Sequence, residues 1–435
     1  MTHLLAVPAL AGLLALPAAS GSPALAPVDA LYPELSAFYQ DLHRHPELSL
    51  HEETTSAKVA DRLRALGYDV TDHVGGFGVV AVLKNGKGPT LLIRADMDAL
   101  PVEEKTGLPY ASTVRVKNDA GDSVPVMHAC GHDVHMTSLV GAAVLLARAK
   151  KLWRGTLVLV GQPGEEGGDG ARKMLGDGFL TRFPKPDFAI ALHDDARLPA
   201  GEIGYTPGFS MANSDTVDIT IYGRGGHGSA PQNAVDPIVI AARTVLALQT
   251  VVARESNPLD PVVVTVGTIH GGTKSNIIPD EVRLGLTVRT YKEDVRKRTL
   301  AAIERIAKAE ALAAGVPKEP LVQTQLGYDA TYNDPALTAR VARALGGAFG
   351  KDRVKELPPV MGAEDFGQFG RAAGVPSLEF WLGATPRAKF EAAHGDATKL
   401  PGLHSSLFAP DPESTLKTGA AALTIAAIEL LPARR

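Results

Sequence analysis

The sequence holds one cysteine, Cys130, in 435 residues. A disulfide framework within the chain is therefore excluded, and that thiol needs another explanation. Basic charge is not in excess either: Lys+Arg 44 against Asp+Glu 48 leaves a net charge of -4. The basic stripe or surplus of a nucleic-acid binder is missing. Gly 44 and Pro 31 call for many tight turns, but no Gly-X-Y period follows them, so the chain is not collagen-like. Repeats and low-complexity tracts are absent beyond the first residues. What is left is ordinary globular composition, 45% hydrophobic and 21% charged, at about three times the usual domain size.

One apolar run stands out, residues 4–19, followed by the small residues Ala18-Ala19-Ser20. It is short for a membrane span and fits the core of a secretory signal over residues 1–20, although His3 is the only residue ahead of it that can carry positive charge. The expectation is export, to the periplasm or the medium. No other stretch approaches about 18 uninterrupted apolar residues, so no membrane partner is expected once the signal is removed.

Beyond the leader, helical spacing covers 31–45 and 52–66, and strand-like runs cover 78–83 and 90–95. A long helical run at 134–152 leads into strand candidates at 156–160 and 188–192. Apolar strands separated by helices predict an α/β domain with a mostly parallel sheet. Near residue 213 the texture changes. Thr216-Val-Asp-Ile-Thr-Ile-Tyr222 alternates polar and apolar, as a strand with one solvated face does. Helix 232–253, strands 261–269 and 282–290, helix 293–314 and a strand at 320–326 complete a β-α-β-β-α-β order, which predicts a ferredoxin-like unit. Helices 334–349 and 363–373, strand 376–382 and helix 412–431 then resume the first texture. The chain thus divides into a catalytic domain, 30–212 and 327–435, interrupted by a smaller domain at 213–326.

The densest chemistry lies in Met127-His-Ala-Cys-Gly-His-Asp-Val-His-Met136, where His128, Cys130, His132 and His135 fall just before a helix. Cys-x-His on a glycine turn lets both side chains converge on one ion, and thiolate with imidazole suits zinc or a similar transition metal. A second cluster, Gln162-Pro-Gly-Glu-Glu-Gly-Gly-Asp-Gly-Ala171, follows the strand at 156–160. The carboxyl end of a core strand is where sites of open α/β sheets lie. Of two adjacent carboxylates there, one can ligate a metal while its neighbour takes a proton from the attacking water. A phosphate-loop reading fails for want of the Lys-Ser/Thr ending. His193 ends the strand at 188–192, and His404 lies in a loop before the last helix. With Cys130, His132 and Glu166 they complete a five-ligand set, enough for two metals sharing a bridge. In the smaller domain, His227 sits on a Gly-rich bend at 223–231, with Asn276 and Arg289 further on. Arg289 could hold a substrate carboxylate bidentately, and His227 or Asn276 could donate to a developing oxyanion.

Seven segments together carry a resemblance: His43-Arg-His-Pro-Glu-Leu-Ser49, Arg94-Ala-Asp-Met-Asp-Ala-Leu-Pro101, Met127-His-Ala-Cys-Gly-His-Asp133, Gln162-Pro-Gly-Glu-Glu-Gly167, Gly225-Gly-His-Gly228, Asn276-Ile-Ile-Pro-Asp280 and Met361-Gly-Ala-Glu-Asp-Phe366. In order and spacing they resemble the aminoacylase, hippurate hydrolase and indole-acetyl-amino-acid hydrolase branch of the carboxypeptidase G-like dinuclear metallopeptidases, over residues 31 to 431. The resemblance implies two divalent ions, zinc or manganese, held by Cys130, His132, Glu166, His193 and His404. It also implies Glu165 as general base, Asp98 as a supporting carboxylate, and Asn276 and Arg289 as substrate contacts. His227 would come from the inserted lid or dimerisation domain, across a homodimer. The implied substrate is an N-acyl amino acid or a short peptide-like amide. Two departures from the family pattern stand out. His193 is followed by Asp194-Asp195, which points to altered metal affinity or charge preference, and His404 by Ser405-Ser406 where proline is common, which alters the loop. A non-catalytic binding protein of the same shape is the competing class, and the complete ligand and base set argues against it.

Overall fold

A computed structural model of the chain describes residues 27–167 and 169–433. The expected signal segment, 1–20, lies outside them. Numbered along the chain, strands β1 (Asp69–Val74), β2 (Gly78–Asn85), β3 (Thr90–Asp96), β4 (Gly155–Gln162), β5 (Phe188–Pro199) and β6 (Ile203–Tyr205) belong to a large sheet. Strands β7 (Asp215–Tyr222), β8 (Val262–Gly271), β9 (Glu281–Thr290) and β10 (Leu321–Leu326) form a separate one, and β11 (Val354–Glu356) and β12 (Ser377–Thr385) return to the first. The main helices are α1 (Val28–Arg44), α2 (Glu53–Ala65), α3 (His132–Arg148), α4 (Gly170–Gly176), α5 (Pro237–Thr250), α6 (Glu293–Ala313), α7 (Pro335–Phe349), α8 (Gly367–Ala373) and α9 (Pro412–Leu430).

The large sheet runs β1-β2-β4-β3-β5-β12-β6-β11. Its centre, β4-β3-β5-β12, is parallel, and the β1–β2 hairpin adds an antiparallel edge. Such a centre must be covered on both faces, and the alternation along β3 shows that it is. Leu91 and Ile93 join the layer of α1, α3 and α9, while Leu92 joins Met174, Phe179 and Phe369 on the other side. Each fully buried Leu here removes about 1.5–3 kcal/mol of apolar surface from water. Helices α3 and α9 approach so closely that a Cβ on Gly141 would stand 2.7 Å from that of Ala420. Small residues along both helices let the backbones meet.

The second sheet runs β8-β9-β7-β10, antiparallel throughout, with α5 and α6 on one face. This is the ferredoxin-like order read from the sequence. Val217, Ile219 and Ile221 point at Ile240, Leu248, Ile303 and Ile306, while Thr216 and Asp218 are exposed. Helix α5, continued by a π-helical turn to Glu255, is long and apolar enough to cross a membrane. Ile240, Ala241, Thr244 and Leu248 are instead buried within the inserted unit. The chain enters and leaves this unit side by side: Asp215 pairs with Leu326, and the Ser214 N–H donates to the Tyr328 carbonyl at 3.1 Å.

Two expectations need correction. The helix expected at 363–373 begins only at Gly367, because Glu364 and Asp365 turn inward to a buried arginine. Strand β5 runs on to Pro199 rather than stopping at 192, so His193 lies within it.

Candidate metal centre

Gly131 sets the first piece of the site. Its φ is 75°, and a Cβ there would meet the Asp194 carboxylate at 2.1 Å, so glycine is demanded twice. The turn puts Cys130 just ahead of α3 and His132 at its first residue. The Cys130 sulfur belongs to one group with His132 and His193 and to another with Glu166 and His404, the donor atoms of each lying within 4.8 Å of one another. Being common to both, the sulfur would be a donor that two ions could share.

Hydrogen bonds fix which ring nitrogen faces inward. A carbonyl oxygen can only accept, so the Nδ1 of His132 donates to the Asp98 carbonyl at 2.7 Å, and that of His193 to the Asp194 carbonyl at 2.7 Å. In the neutral rings, Nε2 then carries the lone pair, 3.6 Å from the Cys130 sulfur in the case of His193. This is the orientation that metal-ligating histidines receive from backbone carbonyls. His404 comes from the opposite side with a left-handed backbone (φ 64°), its N–H donating to the Ala129 carbonyl at 2.7 Å. Such strain in a non-glycine residue collects at functional positions. Its Nε2 stands 3.0 Å from Glu166 Oε1.

Asp98 anchors the loop that carries both glutamates. Its carboxylate accepts from the Glu165 N–H at 3.1 Å, the Glu166 N–H at 2.9 Å and the Ser49 hydroxyl at 2.5 Å. Burial would raise its pKa, but the contacts with His132 and Ser49 hold it below the usual carboxylate range. Glu165 moves the other way. Burial, then repulsion from Glu364 and Glu166, pushes it well above that range.

Several contributors escaped the sequence reading. Arg94 is fully buried and binds Glu364 at 2.8 Å, Asp96 at 2.7 Å, Asp365 at 3.1 Å and Gln162 at 2.9 Å. Asp96 also holds His135 at 2.6 Å and stands 3.6 Å from His132 Nε2. A signal was present, since Arg94 and Asp96 sit two apart on β3 and so share a face, with Asp98 just beyond. His43 is buried between Asp133 at 2.6 Å and Glu104 at 3.1 Å. These partners outweigh its burial and raise its pKa to about 9. Asp194, which looked like added charge, binds His135 Nε2 at 3.0 Å. Asp195 is neutralised by Arg197 through contacts of 2.6–3.1 Å, and that guanidinium lies 5.5 Å from the Trp381 ring.

A cavity of about 720 Å3 opens over the centre, lined by Cys130, Glu165, Glu166, His193 and His404, and by Arg289 from the inserted unit. Arg289 is half-buried, and its side chain makes one hydrogen bond, to Thr287 Oγ1 at 3.3 Å. Among the described residues no carboxylate pairs with it. Trp381 lines the same cavity, whereas Phe366 and Phe380 are core. His227 and Asn276 are exposed and do not line it: the His227 Nδ1 accepts from the Ser229 N–H at 3.1 Å, and the Asn276 carbonyl from the Gly228 N–H at 2.9 Å.

The donor set fits two divalent ions. His132 Nε2 is buried with no hydrogen-bond partner, Glu166 Oε1 faces His404 Nε2 alone, and both belong to the ligand groups. Thiolate, imidazole and carboxylate at a sheet edge, with a free glutamate alongside, define a dinuclear metal-dependent hydrolase of amide bonds. The comparisons carry this further. Residues 92–407 match Peptidase family M20/M25/M40, and the chain belongs to that family. It is 37% identical to thermostable carboxypeptidase 1 of Saccharolobus solfataricus over 392 residues, 89% of this chain and 93% of the relative. It is also 37% identical to the hippurate hydrolase of Campylobacter jejuni over 341 residues, 77% and 85% of the two chains. The crystal structure of the YXEP protein of Bacillus subtilis, a dinuclear metal binding peptidase from the M20 family, aligns with TM-score 0.75 and 29% identity, covering 93% of this chain and 99% of that one.

Proposed function

We propose that the enzyme hydrolyses N-acyl amino acids, hippurate-like or other acyl conjugates, to a carboxylic acid and a free amino acid. The observation that carries this reading is one cavity lined by Cys130, Glu166, His193 and His404 and also by an arginine without a carboxylate partner. Arg289 receives the carboxylate of the amino-acid half, where two parallel N–H bonds give orientation as well as affinity. Cys130, His132, Glu166, His193 and His404 would hold two ions, which would supply Lewis acidity to the water and to the amide oxygen; the thiolate favours zinc, and manganese is also compatible. Glu165 takes the proton of the attacking water. The oxygen joins the acyl carbon, the C–N bond breaks, and the same proton leaves on the amino nitrogen. Asp98 keeps Glu165 and Glu166 in place through their N–H groups. His227 and Asn276 act across a homodimer, the inserted unit serving as lid and dimerisation domain, with His227 donating to the oxyanion. The apolar leader supports export to the periplasm or the medium.

The test is chelated enzyme reconstituted with zinc or manganese, offered benzoylglycine, its carboxamide, an N-acetyl amino acid and a dipeptide. Metal-dependent release of amino acid from the acylated substrates is expected, with the carboxamide poor. Full metal occupancy with no hydrolysis of any of them would overturn the reading.

A further inference from the structure

We propose that Tyr328 is a positioning residue of the hydrolysis, which ties the placement of Glu165 to the seating of the inserted lid. The inference rests on Glu165 being the base. The Tyr328 hydroxyl donates to the Glu165 carbonyl oxygen at 2.7 Å, while its ring lines the cavity. Glu165 is thereby gripped from two sides: Asp98 takes its N–H at 3.1 Å and Tyr328 its carbonyl. The phenolic proton is committed to that carbonyl, so the hydroxyl is not free to donate to a substrate.

Tyr328 sits on the segment by which the chain returns from the lid, and neighbours bind that segment from both units. From the lid side, Asp215 accepts from the Gly327 N–H at 3.2 Å, and Arg296 donates to Asp329 at 2.9 Å. From the catalytic side, Arg172 donates to the Gly327 carbonyl at 3.2 Å, and Arg371 pairs with Asp329 at 3.3 Å. A swing of the lid about its two crossings moves the Tyr328 hydroxyl, and the peptide of the base moves with it. Substrate captured by Arg289 on the lid would then also set the base.

The experiment uses the metal-loaded enzyme with benzoylglycine. Tyr328→Phe should lower kcat about 3–10-fold, the scale of one neutral hydrogen bond, with KM within about twofold and metal content unchanged. A cycle with Glu165→Asp should be non-additive, because that base is already misplaced. An unchanged kcat, a rise in KM alone, or strict additivity would overturn the proposal. So would a large loss of Tm, which would mark Tyr328 as a structural strut. Glu165→Gln run alongside separates the two readings: if it keeps turnover, the assignment of the base has failed and not the tether alone.

Discussion

The two main sheets solve the same burial problem in opposite ways. The large one is covered on both faces, and the groups beneath its site are charged and buried: Arg94, Asp96, Glu364, His135 and His43. The sheet of the inserted unit is covered on one face only, its core is aliphatic, and its open face carries polar residues such as Thr216, Asp218 and Arg283. Charge sealed under a covered sheet holds ligands in fixed orientations. A half-covered sheet alternates apolar and polar residues, and the end of one inner strand brings Arg289 to the cavity over the centre. On the proposed reading, the chemistry belongs to the large region and substrate capture to the inserted one.

The largest effect that would break this division is at the base. Glu165→Gln should lower kcat by about 10²–10⁴ with both metals retained, read by turnover and metal analysis together. Near-normal activity would remove the catalytic role from the large domain's loop. Next comes His227→Ala, expected to lower kcat by the equivalent of roughly 3–4 kcal/mol with metal content intact. Mixing it with Glu165→Gln under subunit exchange should recover part of the activity. Verified heterodimers without recovery would confine His227 to its own chain.

Arg289→Ala should act mainly through KM, which rises about 10–100-fold as a charge-assisted contact is lost, and the preference for the carboxylate over the carboxamide should vanish. The smallest effect concerns stability. His43 titrates at about 9 in the folded protein, above the ordinary value of about 6.5. Its protonated form is the one favoured by folding, so the contribution is complete below about 6.5 and is lost as pH rises through 9. Melting followed between pH 6 and 10 should show Tm falling over that window, and His43→Gln should flatten the fall. An identical profile in the variant would show that His43 is not the group responsible.

Much of this was legible because local pattern and global fold agree. Apolar runs gave the central strands, strict alternation at 216–222 gave the lid sheet, and ligand-type residues at turns gave the metal centre. The failures have physical causes. The start of α5 was placed at 232 although Asp236-Pro237 marks it, with Asp236 accepting from the Ile238 N–H at 2.9 Å and proline at the first turn. Asp334-Pro335 and Asp411-Pro412 open α7 and α9 in the same way. The buried network around Arg94 joins residues separated by 270 positions, which no local pattern can reveal. Tyr328 has no motif at all, and its partner is a backbone carbonyl.

The adjacency of the lid's two crossings also bears on how the chain folds. Gly327 and Asp215 touch although 112 residues separate them. A contact of that span, made from an open coil, carries a heavy loop-closure entropy and slows folding. The insert, however, has its own aliphatic core, so it can close first and bring residues 214 and 328 together. To the rest of the chain, the interruption then behaves as a short turn, and strands on either side of it meet as near neighbours in the sheet.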